Sequence, residues 1–150
     1  MAPLVVLLGS FALFLLINRY ALNRKFSVSF IGRVALALML LLTGSAHFFK
    51  TEVMILSMPD VVPYKQELVY FTGILELLAA VGLLIDRTAR LTSILLIIFF
   101  ICILPANIAG SLKRVALGGM ENGPVYLFFR IPLQVLFIGW AYFFGVKVSR

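Results

Sequence analysis

Five polar side chains stand inside runs that are otherwise almost wholly apolar: His47 in GSAHFF, Glu76 in GILE, Asn107 in LPAN, and Arg130 and Gln134 in RIPLQ. A carboxylate in such a run stays neutral unless a cation lies beside it, and Arg130 is the cation that could keep Glu76 ionised. Ionisable groups set in apolar segments are the default candidates for moving a proton or anchoring a ligand. The imidazole of His47 suits a proton donor or ligand contact at a pocket mouth, because imidazole changes charge near neutral pH. Arg130 and Gln134 are one helical turn apart and share a face. Asn107 follows Pro105, whose missing N–H leaves the carbonyl of Ile101 without its helical partner.

Each residue also has a plainer role. Glu76 and Arg130 would serve as a buried ion pair that fixes helix register. His47 would cap carbonyls near a helix C-terminus. Asn107 would serve the proline kink, and Gln134 would act as a hydrogen bond between helices.

Composition decides what holds these residues. The 150-residue chain is 63% hydrophobic and 13% charged, with a mean hydropathy of +1.11. Soluble domains are nearer 45–50% apolar and about 25% charged. This excludes an ordinary soluble domain and, equally, a disordered chain. The net charge of +7 comes from basic residues scattered between apolar runs rather than from a dense stripe, so nucleic acid is not an expected partner. The single cysteine, Cys102, excludes an internal disulfide, a thiol relay and a cysteine metal site. With one histidine, no metal site is expected.

Five segments are long enough to span a bilayer as helices: about 3–20, 28–49, 67–85, 91–112 and 125–145. None alternates as a barrel strand would, so an all-α membrane bundle is expected, as a single domain. The first segment carries its charges after its apolar stretch, the reverse of a cleaved signal, and is read as a retained helix. Residues 50–66 contain Pro59 and Pro63 yet remain apolar, which suits a segment lying in the interface or folded over the bundle mouth. Measured by helical rise from one common end, His47 lies about two residues deep. Asn107 and Arg130 lie roughly 7–8 Å deep, and Glu76 and Gln134 roughly 13 Å. Five polar residues on four helices thus fall in one half of the bilayer.

Basic residues divide eight to four between the two sides. Arg19, Arg24, Lys25, Arg33, Arg87, Arg90, Lys147 and Arg150 face Lys50, Lys65, Lys113 and Arg114. The positive-inside rule then places the N-terminus outside and the C-terminus in the cytoplasm. Arg33 is expected to snorkel or to pair with Asp86.

Four stretches together resemble the DoxX family of small bacterial membrane proteins: RVALALMLLLTGSAHFF (33–49), MPDVVPYKQELVYFTGILELLAAVGLLI (58–85), LPAN (104–107) and FRIPLQVLFIGWAYFF (129–144). The resemblance implies a four-helix transmembrane core over about 28–145, with the helix at 3–20 as an addition. Glu76 and Arg130 match that family's Glu and Arg positions. It also implies a bacterial inner-membrane location and a redox or quinone neighbourhood, which makes a membrane quinone a candidate cofactor without assigning one. No cysteine pair and no histidine pair for haem is present to carry electrons, and P-loop, Rossmann, HExxH and GxSxG motifs are absent.

The expected function is therefore binding of a lipophilic molecule, a quinone or a lipid, in an outward-opening pocket of a redox-associated subunit. Glu76, Arg130, Gln134, His47 and Asn107 would line this pocket. The expected partners are membrane lipids, redox subunits and, as one arrangement, further copies of the chain. No catalytic residue is assigned. A permease for a small solute or anion, with Arg130 as the anion contact, and a structural assembly factor are the rivals.

Overall fold

The computed structural model describes residues 2–147, so Arg150, counted in the charge asymmetry, lies outside the described residues. The order is α1 (Ala2–Tyr20), α2 (Val28–Phe49), α3 (Thr51–Ser57), α4 (Lys65–Leu84), α5 (Asp86–Cys102), α6 (Leu104–Leu112), a 3-10 segment (Met120–Tyr126), α7 (Leu127–Ala141) and a π-helical turn (Tyr142–Lys147). The described residues contain no strand. Five stretches are long and apolar enough to cross a membrane: α1, α2, α4, α5 continued through α6, and the 3-10 segment continued through α7 to Lys147. The described residues are predominantly helical, and these five apolar stretches are compatible with a multi-pass membrane protein.

Two of the expected spans are subdivided. The fourth breaks at Ile103, immediately before Pro105 enters the first turn of α6. Proline cannot donate to the preceding turn, so the ladder restarts there. The fifth enters through a 3-10 turn, where Gly123 takes a positive φ of 71° and redirects the chain, and it leaves through the π turn. The segment at 50–66, expected to lie in the interface or fold over the mouth, contains the two-turn helix α3.

Helix α2 is the hub, packing against α1, α4 and α7, while α5 packs on α4 and α7. Lipid tails are as apolar as leucine, so helices associate in a bilayer through close packing and hydrogen bonds. The buried stripes show this. Helix α4 buries Val69, Gly73, Glu76, Ala80 and Leu83, and α5 buries Ala89, Ser93, Leu96 and Phe100. These steps of four and three residues mark one helix face, rich in small side chains.

Side-chain clamps fix the ends. Asn18, buried at the end of α1, donates to the Phe26 carbonyl at 2.8 Å and accepts from the Phe26 amide at 3.0 Å. Ser27 then caps α2 by accepting from the Phe30 amide. The indole of Trp140 donates to the Gly32 carbonyl and Ser29 to the Phe144 carbonyl, tying the end of α7 to the start of α2. Phe11 packs on Trp140 and Phe144, which places α1 against the same corner. At this end Arg33 pairs with Asp86, as expected.

The α2–α4 crossing leaves no room for a side chain at two glycines. A Cβ on Gly73 would lie 2.6 Å from the His47 Cβ, and one on Gly44 would lie 3.1 Å from the Glu76 Cβ. Gly73→Ala is therefore expected to force the helices apart and to cost about 1–2 kcal/mol, the range of a modest overpacking. Equilibrium unfolding in mixed micelles measures it.

Candidate functional site

Between the helices lies a cavity of about 400 Å³. His47, Glu76, Asn107, Arg130 and Gln134 all line it, brought from α2, α4, α6 and α7. Its remaining wall is mostly apolar, including Met39, Phe100, Leu133 and Phe137. Met54, Ser57 and Met58 of the α3 segment border it, as do Ala2 and Pro3 at the start of α1.

The glycine crossing brings His47 and Glu76 together. His47 Nδ1 sits 2.9 Å from the Val69 carbonyl oxygen and 3.1 Å from Thr72 Oγ1. A carbonyl only accepts, so Nδ1 carries a hydrogen. Nε2 faces Glu76 Oε1 at 3.5 Å. If Nε2 and the carboxyl were both unprotonated, a lone pair would face an anion. The contact is attractive when one proton resides on either partner, which leaves the pair neutral overall. Thr43 donates to the other carboxylate oxygen, Oε2. The carboxyl is buried among these partners.

The expected Glu76–Arg130 ion pair is not made. Among the described residues, Glu76 contacts His47 and Thr43, whereas Arg130 Nη2 donates to Asn107 Oδ1 at 2.9 Å. His47, brought across the close α2–α4 approach, takes one carboxylate oxygen and Thr43 takes the other. Arg130 Nε and Asn107 Nδ2 are both buried without a hydrogen-bond partner. Gln134 does not reach Glu76 either. Its amide donates at 2.6 Å to the carbonyl of Phe100, next to the carbonyl that Pro105 was expected to free. Its role in the fold is to close the break between α5 and α6.

Three polar residues of the site were missed from the sequence: Thr43, Thr72 and Tyr126. Each stands four residues before a residue that was found, namely His47, Glu76 and Arg130. A hydroxyl one turn back on the same face was the available signal. Lys50 at the cavity edge was read only as a loop charge. Glu76 also borders a second cavity of about 210 Å³ between α4 and α5, lined by Leu75, Leu78, Thr92 and Leu95.

Outside the spans, Asp60 clasps the α3–α4 connection to the end of α6. Lys113 Nζ donates to Asp60 Oδ1 at 2.6 Å and to the Met58 carbonyl at 2.9 Å, and Lys65 lies 3.6 Å from the same carboxylate. The hydrogen bond from Lys113, then its charge, holds the Asp60 carboxyl below the ordinary value of 3.8. The sign follows by linkage. The clasp contributes fully above that ordinary value and is lost as pH falls through the lower folded value. Nicking of residues 57–65 by an acid-active protease is expected to rise across that window. In Asp60→Asn the nicking rate is expected to be high on both sides of it.

Fold and cavity define a class: a small helical protein with five apolar helices of membrane-spanning length and a mostly apolar cavity on which a few polar side chains converge. Within it, the chain belongs to the family described as a domain of unknown function, DUF8561, whose model matches residues 36–145. The match runs from α2 into the π turn and leaves α1 outside. No curated protein and no solved structure matches the chain.

Proposed function

We propose that this protein binds a lipophilic small molecule, a quinone or a lipid, in the cavity bounded by α2, α4, α6 and α7. It does so as a subunit or accessory of a redox system in a bacterial inner membrane, with its N-terminus outside and its C-terminus cytoplasmic. The observation that carries this reading is the convergence of five polar side chains from four helices on one cavity with apolar walls. Small-molecule sites have this character, a mostly apolar concavity with a few convergent polar groups. The smaller cavity at Glu76 has Leu75, Leu78 and Leu95 on the exposed outer face, which suits a ligand arriving from the lipid phase.

In this reading α2, α4, α5 with α6, and α7 form a DoxX-like four-helix core, with α1 as an added wall. The packing of α2 on α4 and α7, and of α5 on both, supports it. The test is to purify the protein in mild detergent, extract it and identify retained molecules by mass spectrometry beside Glu76→Gln. A stoichiometric lipophilic molecule, lost in the variant, is expected. Bulk membrane lipid in equal amount from both would overturn the reading. The permease rival draws support from Arg130, which has no acidic partner within ion-pair distance among the described residues. Liposome flux of small anions separates it.

A further inference from the structure

The charged groups lining the main cavity are Lys50, Arg130, Glu76 and His47. Two permanent cations face one carboxyl group, so the lining is net positive in every protonation state of the His47–Glu76 pair. Glu76 is engaged on both oxygens, by His47 and by Thr43, and does not neutralise Arg130 through a direct contact. The guanidinium spends one donor on Asn107 Oδ1. That hydrogen bond joins two side chains that each keep a buried, unpartnered donor, Arg130 Nε and Asn107 Nδ2. Buried donors without partners are rare, and each calls for an acceptor.

We propose that the cavity takes the head group of a monoanionic amphiphile, a carboxylate on an apolar chain, with Arg130 and Asn107 as its donors. This rests on the lipophilic-ligand reading and names the chemical class of that ligand. A carboxylate brings two acceptor oxygens for the two orphan donors and the negative charge the lining lacks. A neutral carbonyl, as in a quinone, would satisfy a donor but leave the guanidinium uncompensated. A free small anion would satisfy both but leave the walls formed by Met39, Phe100, Leu133 and Phe137 without a partner. At roughly 30 Å³ per water-sized unit, the cavity holds a head group and a short length of chain.

The test is native mass spectrometry of the full chain in a non-ionic detergent, with oleate, methyl oleate, decylubiquinone and acetate as separate probes. Oleate is expected to bind one to one and at least tenfold tighter than its neutral methyl ester. Arg130→Leu is expected to abolish that preference by lowering oleate binding at least tenfold, to the level of the methyl ester in the same variant, and Arg130→Lys to restore part of it. Asn107→Leu serves should Arg130→Leu fail to fold, and the comparison of oleate with its ester needs no variant.

Equal binding of oleate and methyl oleate, or tighter binding of decylubiquinone, would overturn the anionic head while leaving the lipophilic-ligand reading standing. Acetate binding as tightly as oleate would overturn the amphiphile and favour a soluble anion. Failure of every probe to bind would overturn both readings together.

Discussion

His47→Leu is expected to destabilise the folded protein by about 3 kcal/mol, and combining it with Glu76→Leu is expected to recover most of that loss. Removing one partner of a buried charged pair strands the other, which costs about 3–5 kcal/mol, whereas replacing both with apolar residues is often neutral. The lower end applies because the His47 side chain keeps 16% exposure while Glu76 keeps 6%. After His47→Leu, the buried Glu76 carboxyl has only Thr43 to satisfy it. Glu76→Leu alone is expected to cost less, because Thr43 can turn back to the Met39 carbonyl, 3.2 Å away, and His47 keeps Val69. A double-mutant cycle by equilibrium unfolding in mixed micelles checks it. Strict additivity of the two single changes would mean that the pair is not coupled.

At the opposite end of the bundle, Asp86→Lys is expected to cost about 2–3 kcal/mol. Arg33 is buried, with Nε and Nη1 unpartnered, and its Nη2 donates to Asp86. Two unit charges at contact distance interact by about 4 kcal/mol at an effective dielectric of 20. That figure is discounted here because the Asp86 side chain is 84% exposed and screened by solvent. Lysine also places a cation in the first turn of α5, where the helix dipole favours an anion. The paired change Arg33→Met with Asp86→Asn is expected to be neutral or mildly stabilising, since it removes two orphan donors along with the charge. The same unfolding measurement reads both, and a cost from the paired change equal to that of Asp86→Lys would overturn the account.

Much of the architecture was legible in the sequence because bilayer length and helical rise are hard constraints. Val28–Phe49 was read to its ends, since Ser27 and the charged residues beyond Phe49 bracket a mostly apolar run. The polar residues at depth were legible because amide and ionisable side chains are scarce in those runs, whereas the hydroxyls of Thr43 and Thr72 passed as ordinary helix residues. Pairing was not legible. Depth ranked Arg130 as the natural partner of Glu76, but depth says nothing about azimuth or about how closely two helices approach. Gly44 and Gly73 set that approach, and through it the choice of His47 over Arg130. The break at Ile103 was half visible in Pro105, but its repair by Gln134 from α7 depends on a contact 34 residues away. The turn at Gly123 carried no apolar period from which it could be read.

The clamps at the Arg33 end differ widely in sequence separation, and that sets an order in time. Asn18 meets Phe26 across 8 residues, Arg33 meets Asp86 across 53, and Trp140 and Phe144 reach Gly32 and Ser29 across 108 and 115. A chain made from its N-terminus closes the first of these while the next helices are still unmade. In the α1–α2 hairpin alone the Arg33 guanidinium therefore has no counter-ion. Arg33 gains its counter-ion only once the first turn of α5 has been made, and the Trp140 and Phe144 clamps can close only after α7.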